Sequence, residues 1–335
     1  INIILNTMLK NTIKKFFVKI SRMLGFEILD QNKFVSPTLN KEINQELSIF
    51  NEKSIVIPLG EVKIKRKAKS LLIIFRTNSN IEIWDQNKKR VFEEKKINYI
   101  KKSLNSLIKS IKYNKKILPK FDINLKILDD NSKLENLNII KKICEDSNLD
   151  YELINHDRDK FKDFIKKQKT EDTFSNLSTL LTSFNIGKDI GKDLIYFIED
   201  DYIHSEKMII EAIKTFERIA SQLDKDIFIC PSDYPYLYMN NEKTNVLIGS
   251  DRHWRTINKT LCTFMTTKNL IEEYWTNFEK NCEDRHDPFE KYLNEIYEKE
   301  ICISPLKSLS THMANINSSY GLSPFINYKK IWEEN

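Results

Sequence analysis

Five apolar residues, Leu194-Ile195-Tyr196-Phe197-Ile198, run without a break into three carboxylates, Glu199-Asp200-Asp201. The run is short for a buried helix and lacks the alternation of a strand with one wet face, so it reads as a parallel strand covered on both sides. Three successive carboxylates repel one another unless water, donors or cations compensate them. The strand therefore has to end where such groups are at hand.

The same pattern occurs upstream. Leu71 to Phe75, LLIIF, is a second continuous apolar run, followed by the polar loop Arg76-Thr77-Asn78-Ser79. Ile97, Ile100, Leu104, Leu107, Ile108 and Ile111 then recur at helical spacing. Residues 123–128 read as a strand ending in Asp129-Asp130-Asn131-Ser132, Leu134 to Cys144 as a helix, and Tyr151 to Asn155 as a strand. Helical patterning around Leu177 to Phe184 leads back to the run at 194. Strands alternating with helices predict an α/β fold, a Rossmann-related, mostly parallel sheet flanked by helices. Ligands of such sheets bind beyond the carboxyl ends of the strands, where Thr77, Asp129, Asp130, Glu199, Asp200 and Asp201 stand. No GxGxxG follows the first strand and no GxxxxGK[ST] occurs, which argues against a dinucleotide oxidoreductase or a P-loop ATPase.

At the mouth of a buried strand, a divalent ion is an economical compensation for the carboxylates. Mn²⁺ or Mg²⁺ would bridge a carboxylate and the phosphates of a nucleotide sugar and offset charge on the leaving diphosphate. The competing reading is a solvated acidic turn that caps the helix beginning near Ser205.

The run YFIEDDYIH, residues 196–204, resembles the aspartate motif of GT-A glycosyltransferases, and the α/β units before it resemble that family's nucleotide-binding half. The resemblance covers roughly residues 70–315. It implies that Asp201 binds the metal, that Asp200 acts through water or the sugar and ribose, and that Glu199 positions the donor. Thr77 and Asp129 or Asp130 match the family's base and ribose contacts, and Arg76 is a further donor contact. Several GT-A enzymes complete the metal site with a late histidine. His312 matches it in chain order, and imidazole suits Mn²⁺ better than Mg²⁺. Lys307 and the hydroxyls of Ser308, Ser310 and Thr311 are candidates to hold the diphosphate.

Beyond Asp201 the text changes character. A long amphipathic helix, Ser205 to Leu223, precedes short strands at 226–230, 245–249, 262–266 and 301–305. Tyr234, Tyr236, Tyr238, His253 and Trp254 offer flat faces with polar edges, which either line an acceptor cleft or belong to the core. By resemblance Trp254 is the preferred acceptor residue, with His253 and Tyr234 beside it. Inverting transfer needs a base for the attacking hydroxyl. Asp284 and Asp287 are the leading candidates, with Glu283 and then His286 behind them. Asp287 precedes Pro288 and is equally readable as a helix cap.

The N-terminal residues Met8 to Phe26 form a basic amphipathic pattern. Its apolar positions are suited either to a peripheral anionic membrane or to packing within the chain or across a homodimer. Residues 54–65 read as a hairpin. The expected organisation is an appendage over 1–69, a catalytic domain over 70–315 divided at 204/205 into donor and acceptor halves, and a tail over 316–335 that either covers the site or makes an interaction. The five cysteines show no CxxC spacing, and their odd number fits reduced thiols. With no uninterrupted apolar stretch of spanning length, the expected location is cytoplasmic, at the inner face of the membrane if the first helix binds there.

The leading functional expectation is metal-dependent sugar transfer from a nucleoside-diphosphate sugar to a hydroxyl of a glycan or lipid-linked acceptor, with inversion. A nucleotidyltransferase acting on a sugar phosphate competes, although RTNSN at 76–80 lacks a glycine-rich basic loop. A non-catalytic membrane-associated scaffold of the same fold is the other alternative. Nucleic-acid binding is disfavoured. The net charge of +6 is dispersed and the sharpest motif is acidic.

Overall fold

The computed structural model describes residues 13, 15–26, 54–57, 60–80, 90–239, 243–313 and 318–335. The chain divides into two units, Ile1–Lys63 and Ile64–Asn335. In the first, helix α1 covers 15–23, and Gly25 follows it with φ of +83°, a left-handed stop that favours glycine. Residues 8–12 and Lys14 of the expected helix lie outside the described residues. Phe16, Phe17, Met23 and Leu24 are exposed. β1 (Ser54–Ile57) and β2 (Gly60–Lys63) form the expected antiparallel hairpin, with Ser54 opposite Lys63.

The second unit begins with the alternation read from the sequence. Its elements are β3 (Ser70–Thr77), α2 (Lys96–Ile117), β4 (Asp122–Asp129), α3 (Leu134–Ser147), β5 (Tyr151–Asn155), α4 (Glu171–Ile190) and β6 (Leu194–Glu199). Then follow β7 (Tyr202–His204), α5 (Met208–Leu223), β8 (Phe228–Ile229), β9 (Val246–Ile248), β10 (His253–Ile257) and β11 (Phe264–Thr267). Helices α6 (Lys268–Glu273), α7 (Trp275–Glu283) and α8 (Lys291–Tyr297) precede β12 (Cys302–Pro305), β13 (Ser310–His312) and α9 (Tyr328–Glu333).

Nine strands form one mixed sheet in the order β5-β4-β3-β6-β11-β8-β12-β10-β9. β5, β4, β3 and β6 are parallel neighbours, whereas β11 runs antiparallel to both β6 and β8. The apolar runs are continuous because both faces of these strands are covered. Leu71, Ile73 and Phe75 join a core built with α2, α3 and α5, while Leu72 and Ile74 join one built with α4, α6, α7 and α8. β6 divides in the same way, with Leu194, Tyr196 and Ile198 on one side and Ile195 and Phe197 on the other. The architecture is an α/β fold of the GT-A, Rossmann-like kind.

From β3 the chain winds outward through β4 to β5, then returns to the other side of β3 as β6. The switch point of the sheet therefore lies between β3 and β6, where a crevice opens at the carboxyl ends. The tail is docked on the unit. Trp332 is buried against Tyr99, at 4.6 Å between ring centroids, and stacks on Phe92 at 4.4 Å. Lys102 Nζ donates to the Trp332 carbonyl at 2.6 Å.

Candidate active site

At the switch point Arg76 stands directly opposite Glu199 in the β3–β6 register. Each carboxylate of the acidic strand end meets a basic side chain. Arg76 Nη2 donates to Glu199 Oε1 at 3.0 Å, Lys96 Nζ pairs with Asp200 Oδ1, and His312 Nε2 lies 3.3 Å from Asp201 Oδ2. The compensation that the sequence assigns to a divalent ion is thus largely supplied by side chains. Lys96 was not among the expected residues. It opens α2, where the helix dipole disfavours a cation. Desolvation works to lower its pKa, but Asp200 and Asp201 outweigh burial and raise it.

Asp201 and His312 are joined by a short ribbon. β7 pairs antiparallel with β13, matching Ser310 with His204, Thr311 with Ile203 and His312 with Tyr202. The Met313 amide then donates to the Asp201 carbonyl at 2.9 Å. The His312 ring stacks on Tyr202 at 4.7 Å and 9°, and its Nδ1–H donates to the Tyr320 carbonyl at 2.8 Å. That bond fixes the tautomer and turns Nε2 toward Asp201. Desolvation raises the Asp201 pKa and lowers that of His312. Their mutual attraction, aided by Lys96 at Asp201, wins in both cases, holding the carboxyl well below its usual range and raising the imidazole.

Among the described residues, no group of three or more His, Cys, Asp or Glu is placed to hold a metal. The pair Asp201 and His312 is a separate question. Two ligands about 2.1 Å from an octahedral ion stand roughly 3.0 Å apart, close to the observed 3.3 Å. The carbonyl that holds Nδ1 is the kind of support that orients a ligating histidine. The spacing and the support of Asp201 and His312 are compatible with two ligands of such an ion.

The other residues expected to contact a donor also lie at this edge. Asp200 Oδ2 accepts from the Asn78 amide at 3.2 Å. Thr77 and Asp129 are buried, and Thr77 Oγ1 and Asp129 Oδ1 lack partners among the described residues. Burial raises the Asp129 pKa against the hydrogen bonds from Ser132. Asp130 departs from its expected role. It is fully buried and accepts from Arg158 Nε at 2.6 Å and Nη2 at 2.8 Å, from Asn78 Nδ2 at 3.1 Å and from Ser175 Oγ. A carboxylate used this fully braces the loop and has little to offer a ribose.

The acceptor residues divide. Trp254 is wholly buried, with Nε1 donating to Glu211 Oε1 at 3.1 Å, and Tyr234 is buried with its hydroxyl 2.8 Å from that of Tyr202. Both are core residues here and present no face to a sugar, a correction to the sequence expectation. Trp254 is accommodated by Gly249, where a Cβ would come within 2.3 Å of the indole. His253 and Tyr238 are exposed. Of the diphosphate candidates, Lys307 is exposed, while Ser308, Ser310 and Thr311 are buried.

The candidate bases are not gathered at the acidic strand end. Asp284 accepts from Gln168 Nε2 at 3.0 Å and faces Lys166 Nζ at 3.8 Å; the Gln168 bond, with Lys166 behind it, lowers its pKa. Asp287 is exposed, and His286 Nε2–H donates to the Lys280 carbonyl at 2.8 Å. Glu283 pairs with Lys166 at 3.2 Å. The carboxyl of this segment that senses Glu199 is Glu290. Desolvation, then the Glu199 charge, push it up to about 8. Its only sequence signal is a place shortly after Pro288, within a charged stretch.

No protein-family profile and no curated protein sequence matches the chain. Among solved structures, the chain is similar to S. aureus TarS 1-349, at 13% identity and a TM-score of 0.34, over 61% of this chain and 48% of that one. The chain thus spans about half the length of that structure. It is similar to the galactosyltransferase LgtC in complex with donor and acceptor sugar analogs, at 10% identity and a TM-score of 0.35, over 69% and 72% of the two chains. It is also similar to apo UDP-glucose pyrophosphorylase, at 8% identity and a TM-score of 0.38, over 74% and 94%. No family and no activity follow from likeness at this level.

Proposed function

We propose that the chain is a metal-dependent glycosyltransferase that moves a sugar from a nucleoside-diphosphate sugar to a hydroxyl of a glycan or lipid-linked acceptor. The observation that carries this reading is the convergence of Asp201 Oδ2 and His312 Nε2, 3.3 Å apart, at the carboxyl edge of the sheet. Asp201 and His312 would hold Mn²⁺ or Mg²⁺. When bound, the ion offsets negative charge on the departing diphosphate. Arg76 and Lys96 keep Glu199 and Asp200 in place beside it, and Thr77 and Asp129 line the donor end.

For the acceptor proton we favour Glu290 over Asp284 and Asp287. A group poised near neutral pH can both take and return a proton, whereas Asp284 is held ionised by its partners. Removal of that proton by a late carboxyl supports the inverting outcome. The exposed apolar side chains of α1, together with Lys15 and Lys19, support peripheral contact with an anionic membrane at its cytoplasmic face.

The deciding experiment is product release from a panel of nucleotide sugars with Mn²⁺, with Mg²⁺ and with chelator. Metal-dependent release of nucleoside diphosphate, lost in Asp201→Ala and His312→Ala, is the expected result. Release of pyrophosphate from a nucleoside triphosphate and a sugar phosphate would instead make it a nucleotidyltransferase. Absence of metal-dependent donor binding as well as turnover would sink the site and favour a non-catalytic scaffold.

A further inference from the structure

A cavity of about 440 Å³ lies at the other edge of the sheet, lined by Lys65, Lys67, Lys69, Lys192 and Lys268 together with Arg66, Asp193 and Asn269. β3 begins at Ser70 just beyond it, and Leu194 and Thr267 pair at the same edge. The eight residues of β3 separate this edge from Thr77, a distance of about 23 Å at the usual strand rise. The cavity therefore shares nothing with the acidic strand end.

Its wall is built rather than merely basic. The amides of Lys65 and Arg66 donate to Ser221 Oγ at 3.0 and 2.9 Å, that of Ala68 to Glu217 Oε1 at 3.1 Å, and that of Lys69 to Asp193 Oδ2 at 2.7 Å. Asp193, itself buried, also binds the Arg66 guanidinium, and its carbonyl accepts from the Lys268 amide at 2.8 Å. The Asp193 carboxylate thus holds the 66–69 segment, and its backbone carbonyl holds the start of α6. Arg66 additionally reaches Asp226 Oδ1 at 2.8 Å, so it is fully engaged in the wall.

Burial alternates along the pinned segment, which bends at Arg66. Arg66 and Ala68 are half-buried, and Lys65, Lys67 and Lys69 are exposed. Lys192 and Lys268 bring two more ammonium groups. Lys67, Lys192 and Lys268 have carboxylates at 3.2, 3.3 and 3.7 Å, namely Glu217, Asp122 and Glu272. Lys65 and Lys69 have no ion-pair partner among the described residues. Ammonium groups are compact point charges that suit phosphate oxygens approached from several directions.

We propose that this cavity binds an anion carrying more than one phosphate group. The chemistry is shared by a soluble polyphosphorylated compound and by a lipid headgroup with two phosphates, such as that of cardiolipin. The proposal is independent of the glycosyltransferase reading.

The test uses the full chain with chelator present, and titrates pyrophosphate by calorimetry against equal ionic strength of chloride. Binding is expected to weaken about tenfold or more in Lys65→Gln/Lys69→Gln and to be unchanged in Asp201→Asn. Both lysines are exposed and keep their backbone bonds in the variant, and a matching thermal transition confirms that it folds. Flotation with phosphatidylcholine vesicles, with and without cardiolipin, separates the sources. Parallel loss of anionic-vesicle binding, competed by pyrophosphate, assigns a lipid headgroup; unchanged vesicle binding assigns a soluble ligand. Pyrophosphate affinity equal in wild type and the lysine variant, or no saturable binding above chloride, would overturn the proposal.

Discussion

Arg76 and Glu199 occupy facing register positions on two parallel strands, and the guanidinium of the first donates to the carboxylate of the second at 3.0 Å. Arg76 also reaches Asn176 Oδ1 at 3.0 Å and Thr179 Oγ1 at 3.3 Å, and so links β3, β6 and α4. The pair sits at the point where the sheet reverses its strand order. Its loss should be felt both in stability and in the shape of the crevice.

Arg76→Met is expected to lower stability by about 1–3 kcal/mol, because Glu199, Asn176 and Thr179 lose a common donor. Denaturant unfolding of the variant measures the loss. An unchanged midpoint would mean that solvent replaces the guanidinium.

Mn²⁺ should raise the thermal midpoint of the wild-type chain, since an ion that binds the native state alone stabilises it by mass action. The shift is expected to disappear in Asp201→Asn and in His312→Ala. An equal shift in all three proteins would put the ion elsewhere.

Glu290 links stability to pH between about 4.5 and 8. Its native pKa of about 8 lies above the ordinary value of 4.5, so the folded chain binds the extra proton between those limits. Stability then falls as pH rises through this window, by up to about 1.4 kcal/mol per unit. Glu290→Gln should flatten the decline, read from unfolding midpoints between pH 5 and 8.5. A parallel decline in the variant would assign the effect to other groups.

His204 acts on the acid side. It is buried, its Nδ1 lies 2.6 Å from Ser310 Oγ, and desolvation lowers its pKa from 6.5 to about 3. Between these values the unfolded chain binds the additional proton, so stability falls as pH drops from 6.5 toward 3. His204→Gln should show a shallower acid limb in the same unfolding series, whatever its stability at pH 7.

Gly249→Ala is expected to cost about 1–3 kcal/mol through overpacking. A Cβ would meet the Trp254 indole at 2.3 Å and Thr215 Oγ1 at 2.7 Å. The paired check is Trp254→Phe in the alanine background, which should recover part of the loss if the clash is its cause.

The sequence exposed the parallel half of the fold because β3 and β6 are buried on both faces, which leaves only apolar residues between their ends. It exposed Asp201 for the same reason: polarity changes abruptly where the strand leaves the core. Trp254 and Tyr234 were misjudged because an aromatic residue with a polar edge looks alike in a cleft and in a core. What decides between them is a remote partner, Glu211 for Trp254 and Tyr202 for Tyr234. Lys96 was hidden in the charged run Glu93-Glu94-Lys95-Lys96, where nothing local marks the one lysine aimed at Asp200. Glu290 was hidden similarly, since its burial comes from the folding of α7 and α8 about it.

The β7–β13 ribbon bears on the order in which the molecule can be assembled. Asp201 and His312 are 111 residues apart in the chain, and three register pairs followed by the Met313 amide bring them together. The first four parallel strands can form with only one of the two side chains at the crevice. The second arrives when the segment ending in β13 closes a long loop, the kind of contact whose entropy must be met before it returns any stability. The pair is therefore a marker of completed folding: a partly folded chain can have the carboxyl edge of the four parallel strands and still lack the contact between Asp201 and His312.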